Sequence, residues 1–407
     1  MELYQLLLHV AEIVGFILLW QGTLRLSERV RPWAQMVASL VGVAVFYFCT
    51  GDEKLLGAAS LAYMIATTLP CWVVLRPSTT VTHPRARLAL KLLAAWLPIV
   101  LWVLLKPWPL LVPDGLPLVG RSFLAFRLSL LAIDVHRGAA KVPSLPTFLA
   151  FAFYPPSFLV GPISPFAIWQ EAPPAPTAAA PTWRLIGRAA LRFLIGATKY
   201  LTLATLVERL GFASLWVDGF NHGPFDFVVA CIAAHVFFYL NFSGYCDMGV
   251  AVAALAGSRL VENFDRPFAA RNLQDYWHRW HATLGAFLRV LIHLPLSRQL
   301  GRWLGSKRAW LATAIATMVV FVLSGLWHGQ AAHYAIWGAW HGVAVVAVQL
   351  LARWGGRKPR FVRWQQSRVA GALSITATFL YASFGYWWFL MNARDSAEVL
   401  GWFRWSV

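Results

Sequence analysis

An all-α polytopic membrane protein is the fold class the sequence predicts, and three observations predict it. Hydrophobic residues fill 59% of the 407 positions and charged ones only 13%, about half the charge of an average soluble domain. Apolar runs of roughly 20 residues, long enough to cross a bilayer, recur along nearly the whole chain. The four cysteines, Cys49, Cys71, Cys231 and Cys246, lie in or beside those runs without paired spacing. Such cysteines suit small buried hydrophobes rather than a disulfide framework or a zinc site.

Taken in order, the hydropathy predicts about ten to twelve spanning or re-entrant helices. The clearest cover residues 5–20, 34–50, 55–75, 88–112, 184–211, 225–257, 309–326, 333–353 and 369–391. The first run, Leu6 to Trp20, follows acidic Glu2, lacks a basic leader and has no small-residue cleavage site after it, so it reads as a retained transmembrane helix. Segments 117–134 and 146–166 are shorter and interrupted by Gly and Pro, as expected of half-helices packed inside protein. A Pro/Ala-rich stretch, "QEAPPAPTAAAPTWR" (170–184), reads as a linker between an apolar N-terminal group and a C-terminal group that carries most of the unusual polar residues.

The formal charge is +18. Lys and Arg concentrate in "RPSTTVTHPRARLALK" (76–91) and "RWGGRKPRFVRWQQSR" (353–368), which read as cytoplasmic loops holding topology. Part of the excess is also suited to attracting anionic lipid or an anionic substrate. Nothing resembles a nucleic-acid module, so no nucleic-acid partner is expected.

Polar groups at membrane depth are costly, about 2.5 to 3.5 kcal/mol for a charge at a helix centre on insertion scales, so their clustering is informative. They cluster in three places. Asn241, Ser243, Tyr245 and Asp247 interrupt an apolar helix in "YLNFSGYCDMGVAVAALAG" (239–257); a helix-packing patch is the plainer reading of these. In "ENFDRPFAARNLQDYWHRWHATLGAFLRVLIHLPL" (262–296), Pro267 forbids a continuous helix through the first part. From about Leu273 a helix is expected, with Trp277 and His281 one turn apart on one face, and likewise His278 and His281. That spacing permits two metal ligands, but nothing nearby completes a site and no HExxH-like motif occurs, so no metal is expected.

The third cluster is "LSGLWHGQAAHYAIWGAWHG" (323–342), which repeats Trp-His-Gly. On an ideal helix His328, His333 and His341 do not share a face. Gly325 and Gly329 flank Trp327 and His328, which places that pair at a helix end where backbone can approach a substrate. His341 reads as a packing residue and His333 as interfacial. An imidazole at a membrane cavity can take a proton from a hydroxyl and return one to a leaving group, which suggests acyl transfer. No GxSxG-like nucleophile accompanies it, so direct attack of an acceptor hydroxyl on a thioester is more economical than a covalent acyl-enzyme. A transporter component without chemistry is the rival from another class, but the inverted repeats common in transporters are not evident.

Five blocks together resemble the membrane-bound O-acyltransferase (MBOAT) family, in its bacterial AlgI/DltB branch: "PLVGRSFLAFRLSLLAIDVHRG" (117–138), "FYPPSFLVGPI" (153–163), the 239–257 and 262–289 segments, and "GLWHG" with "YAIWGAWHG". The resemblance implies a single domain over 1–407, with N-terminal helices 1–169, the linker, and catalytic helices 185–407. It implies a ring of tilted helices around a central cavity, in the bacterial inner membrane. Its near-invariant histidine lands on His328 as general base, and its second polar position on His281, which would orient the acyl carbonyl or stabilise the oxyanion. Trp277, Trp280 and Trp327 would exclude water. His278, Arg279, Asn241, Ser243, Tyr245 and Asp247 would line the cavity or brace the histidines. No bound cofactor is implied. The donor would be acetyl-CoA or an acyl-carrier phosphopantetheine, and the partners, besides membrane lipid, a periplasmic acyltransferase or polysaccharide. Within that branch, Val290 and Leu291 replace the Asp-Tyr usual after "FLR" in alginate-type enzymes, and "SRQLGRWLGSKR" (297–308) replaces their Gly-rich loop. The length is nearer the D-alanyl type, while the tail 384–403 resembles the acetyl-transfer enzymes.

Overall fold

The apolar runs fold as helices, in the order the hydropathy predicts. The computed structural model describes residues 3–50, 54–105, 120–170, 182–213, 223–329, 331–355 and 367–390. Its α-helices are α1 (Leu3–Leu24), α2 (Arg31–Thr50), α3 (Lys54–Thr80), α4 (Pro84–Leu105), α5 (Arg121–His136), α6 (Leu145–Ala152), α7 (Pro155–Phe158), α8 (Phe166–Gln170), α9 (Trp183–Ala197), α10 (Ala204–Glu208), α11 (Pro224–Ala256), α12 (Leu273–Arg279), α13 (Ala282–Leu288), α14 (Leu294–Leu304), α15 (Ala309–His328), α16 (Ala332–Gly355) and α17 (Arg368–Leu390). Among the described residues seven stretches are long and apolar enough to cross a membrane: Ala58–Thr80, Pro84–Leu104, Trp183–Gly211, Pro224–Ala256, Ser306–His328, Ala332–Gly355 and Arg368–Leu390. The protein is an all-α polytopic membrane protein. Residues 171–181 of the linker, 356–366 of the second basic stretch and 391–403 of the tail lie outside the described residues.

The first basic stretch, 76–91, is not the loop its charge suggests. Helix α3 runs through Pro77 to Thr80, and α4 starts at Pro84. Ser78 and Thr79 hydroxyls donate to the Leu75 and Arg76 carbonyls at 2.5 and 2.9 Å, supplying donors to the end of the helix. Pro84 at the start loses nothing by lacking an N–H.

The chain divides into two units, Met1–Gly196 with Tyr245–Glu262, and Ala197–Gly244 with Asn263–Val407. In the first, Phe16, Trp20, Phe151, Tyr154, Phe166 and Trp169 form a buried aromatic core. Of the two segments predicted as half-helices, 146–166 is broken as expected, α6 stopping at Ala152 and α7 restarting at Pro155, whereas 121–134 lies in the unbroken α5, which Gly120 precedes. Arg127 of α5, 1% exposed, reaches across this break. Its guanidinium donates to the Phe151 carbonyl at 2.7 Å, and also to the Ala152 carbonyl and the Ser157 hydroxyl. A cation thus satisfies the carbonyls at the end of a short helix, where the helix dipole favours it.

In the second unit α15 and α16 form a close hairpin. A Cβ at Gly325 would fall 2.0 Å from the Tyr334 carbonyl oxygen, and one at Gly338 would fall 2.2 Å from that of Phe321. Glycine at both positions is what lets the two backbones touch. Gly329 likewise faces the Tyr334 ring, at 2.1 Å from a would-be Cβ. Gly325 and Gly329 therefore serve helix packing.

Candidate active site

The helix expected from Leu273 does begin there. Asn272 caps it, its side-chain oxygen accepting from the Asp275 N–H at 2.8 Å. It does not reach His281. Helix α12 ends at Arg279, Trp280 is extended, and His281 takes a left-handed backbone conformation, φ 45°, before α13 starts. Trp277, His278 and His281 therefore do not share a helix face. The cause is a pairing of the 263–266 loop with the break: the Asp265 N–H donates to the Arg279 carbonyl at 3.0 Å and the Ala282 N–H to the Asn263 carbonyl at 2.9 Å. Neither bond is available to a continuous helix. Arg266, also at φ 45°, is the other non-glycine residue with positive φ among the described residues. A left-handed conformation costs a non-glycine residue about 1–3 kcal/mol and persists where the surroundings over-determine it.

The Asn263 side chain does so. Its Oδ1 accepts from His281 Nδ1 at 3.0 Å, from the Thr283 hydroxyl at 2.8 Å and from the Thr283 N–H at 3.3 Å. A backbone N–H can only donate, so the shared atom is oxygen and His281 Nδ1 carries the proton. His281 is 6% exposed, and burial, with a smaller contribution from nearby His328, holds its pKa well below the ordinary imidazole range. The ring is therefore neutral, with its lone pair on Nε2.

His328 is the last residue of α15, with extended Gly329 after it, and the residue reaches the surface. Its ring lies 4.4 Å from Trp327, 5.3 Å from Trp337 and 4.9 Å from Phe389, centre to centre. Trp327 is also 6.4 Å from His281. The second Trp-His-Gly is different: His341 is 2% exposed and lies 5.0 Å from both Trp277 and Trp337. His333 is part-buried, with Nδ1 2.9 Å from the Trp388 carbonyl.

Of the residues singled out from sequence, Trp277, His281, Trp327 and His328 thus join one aromatic cluster. Trp280 turns into the core, stacked on Tyr276 at 5.5 Å. His278 is exposed, and Arg279 pairs with Asp275 at 2.7 Å and Asp265 at 3.9 Å. Asn241 is part-buried and Ser243 buried, both in the second unit. Tyr245 and Asp247 belong to the first, where Asp247 accepts from Arg192 at 2.9 and 3.0 Å.

Three residues escape a sequence reading. Asn263 sits 18 positions before its histidine, too far for any local pattern. Trp337 precedes His341 by one helical turn, a spacing that does place them on one face. His235, fully buried, bonds the Ser383 hydroxyl through Nδ1 at 2.8 Å and the Tyr276 hydroxyl through Nε2 at 2.9 Å. Because Ser383 donates to the Phe379 carbonyl, it accepts from His235, which in turn accepts from Tyr276. That chain anchors the helix leading into the strained break.

Fold and site together define a polytopic membrane protein with two imidazoles, one on a residue that reaches the surface and one buried, beside a shared indole. The chain belongs to the MBOAT, membrane-bound O-acyltransferase, family, whose model matches residues 42–389. It is 29% identical over 236 residues to the probable alginate O-acetylase AlgI of Pseudomonas syringae, covering 58% of this chain and 43% of that protein. It is 37% identical over 107 residues to the peptidoglycan O-acetyltransferase of Helicobacter pylori, covering 26% and 19%. Against the teichoic acid D-alanyltransferase of Bacillus subtilis it is 29% identical over 157 residues, 38% of each chain. The chain spans less than half the length of these curated relatives.

Proposed function

We propose that this protein is an inner-membrane O-acyltransferase that moves a small acyl group, acetyl, from a cytoplasmic thioester to a hydroxyl of an exported polysaccharide or its periplasmic relay protein. In this reading His328 removes the hydroxyl proton as the oxygen attacks the thioester carbonyl. The C–O bond forms, the C–S bond breaks, and His328 returns the proton to the departing thiolate. General-base assistance of this kind is worth about 10² to 10⁴ in rate.

A neutral His281 with its proton on Nδ1 accepts at Nε2, so we assign it to orienting the acceptor hydroxyl rather than to donating to the oxyanion. Trp277 and Trp327 keep water from the thioester. The observation that carries the reading is an imidazole, His328, at a helix end that reaches the surface, within ring contact of an indole that also approaches the buried His281.

D-Alanyl transfer from a carrier protein is the second reading, favoured by the likeness to a teichoic acid D-alanyltransferase. One experiment tests both: purified protein in detergent is given labelled acetyl-CoA or a D-alanyl carrier, and loss of the acyl group is followed with and without His328→Ala. Release from acetyl-CoA that vanishes in the variant supports the first reading, and release from the carrier alone supports the second. Acyl release that persists in a folded His328→Ala protein removes the mechanism.

A further inference from the structure

Helix α14 has no buried residue. Leu296, Leu300 and Leu304 are part-buried on one side and Trp303 is 73% exposed beside them, while Arg298 and Arg302, one turn apart, are exposed on the other. Exposed Lys307 and Arg308 follow in the next turn, and Trp310, 39% exposed, stands just beyond. That turn is the start of the Ser306–His328 membrane-crossing stretch, the depth at which lipid headgroups lie and where Trp and basic residues concentrate.

The local charge is of one sign. No Asp or Glu occurs between Asp275 and Asp395, and among the described residues Arg298, Arg302, Lys307 and Arg308 form no ion pair. Arg302 donates to the Gln299 side chain, which leaves its charge unneutralised. A helix with a basic face, an apolar face only partly covered by the neighbouring helix, and an exposed Trp beside that face is built to lie in a bilayer interface.

We propose that Leu294–Arg308 forms a binding surface for anionic phospholipid headgroups. Arg298, Arg302, Lys307 and Arg308 take the phosphates, and exposed Trp303 and Trp310 enter the acyl boundary beside the part-buried leucines. This surface is independent of the reaction assigned above, since none of these residues touches the histidine cluster and binding is read without turnover.

The test uses the full chain in neutral detergent, offered equal amounts of phosphatidylglycerol and phosphatidylcholine, with bound lipid counted by native mass spectrometry. Each basic residue near an anionic surface contributes about 1 kcal/mol, or roughly fivefold. The wild type prefers phosphatidylglycerol, and Arg298→Gln/Arg302→Gln/Lys307→Gln/Arg308→Gln lowers that preference by at least about tenfold. The charge-keeping Arg298→Lys/Arg302→Lys/Arg308→Lys protein retains it, and added salt weakens it. Should the fourfold variant not fold by circular dichroism, Arg298→Gln/Arg302→Gln alone lowers the preference by a smaller factor. An unchanged preference in a folded Gln variant overturns the proposal. So does tighter binding of free coenzyme A at these residues than of phosphatidylglycerol, which would make the surface a donor site.

Discussion

Polar side chains around the broken helix of the first unit and around the histidine cluster of the second are matched to different degrees. In the first, polar side chains close on other protein groups: Arg127 on the carbonyls of a broken helix, Tyr154 on the Ser258 hydroxyl, and Arg192 on Asp247 and Glu262. In the second, aromatic rings crowd around histidines, and Trp277 Nε1, Trp337 Nε1 and His341 Nδ1 have no hydrogen-bond partner among the described residues. Buried polar atoms left unpaired cost roughly 1–3 kcal/mol each. Polarity that is already matched holds backbone in place, whereas the unmatched atoms of Trp277, Trp337 and His341 lie among rings in mutual contact.

The contrast is sharpest between Arg127 and His328. His328→Ala is expected to lower acyl transfer by about 10² to 10⁴ while costing little thermal stability, because the residue lies at a helix end that reaches the surface. Arg127→Ala strands two carbonyls and a hydroxyl in a buried core, each costing about 1–3 kcal/mol, with activity lost through unfolding. Paired activity and thermal-unfolding measurements separate the two. Equal losses of stability in both variants would erase the distinction between the units.

A smaller effect is expected at Asn263. Asn263→Ala removes the acceptor that fixes the His281 proton on Nδ1 and helps hold φ 45° there. Losing such a buried bond costs about 1–3 kcal/mol, or roughly 5- to 150-fold in rate if it falls on the transition state. Asn263→Asp keeps the acceptor and should recover most of that rate. If Asn263→Ala turns over like the wild type, the tautomer of His281 does not matter to the reaction.

How far these features can be read without coordinates follows the range of the forces involved. Apolar runs are local, so the spans predicted at 225–257, 333–353 and 369–391 fall within two residues of Pro224–Ala256, Ala332–Gly355 and Arg368–Leu390. The placement of His328 at a helix end is local too, since Gly329 marks the stop. The break at Trp280–His281 has no Gly or Pro to announce it. It exists because Asn263 and Asp265, distant in sequence, offer the backbone bonds that a continuous helix cannot accept. The packing role of Gly325 depends on Gly338, and the role of Arg127 on carbonyls 24 and 25 residues away. Long-range pairing is invisible to periodicity, and it is what shapes the site.

Asp134 is among the first unit's residues with an unpartnered buried polar atom, and the smallest expected effect lies there. It sits on α5, which at 16 residues is not among the membrane-crossing stretches. It is 9% exposed, with Oδ2 lacking a partner among the described residues. Burial pushes its pKa up to about 6, against a smaller downward pull from Arg137. A carboxyl that holds its proton more tightly when folded than when unfolded destabilises the fold progressively as pH rises from its ordinary value toward 6, and the whole penalty is present above that. Asp134→Asn is therefore expected to stabilise the protein by roughly 1–3 kcal/mol near neutral pH, with the gain shrinking to nothing as pH falls to about 4. Thermal unfolding in detergent across that range checks it. A gain that does not vary with pH would mean that the amide improves packing and that Asp134 is as well matched as Arg192 and its carboxylates.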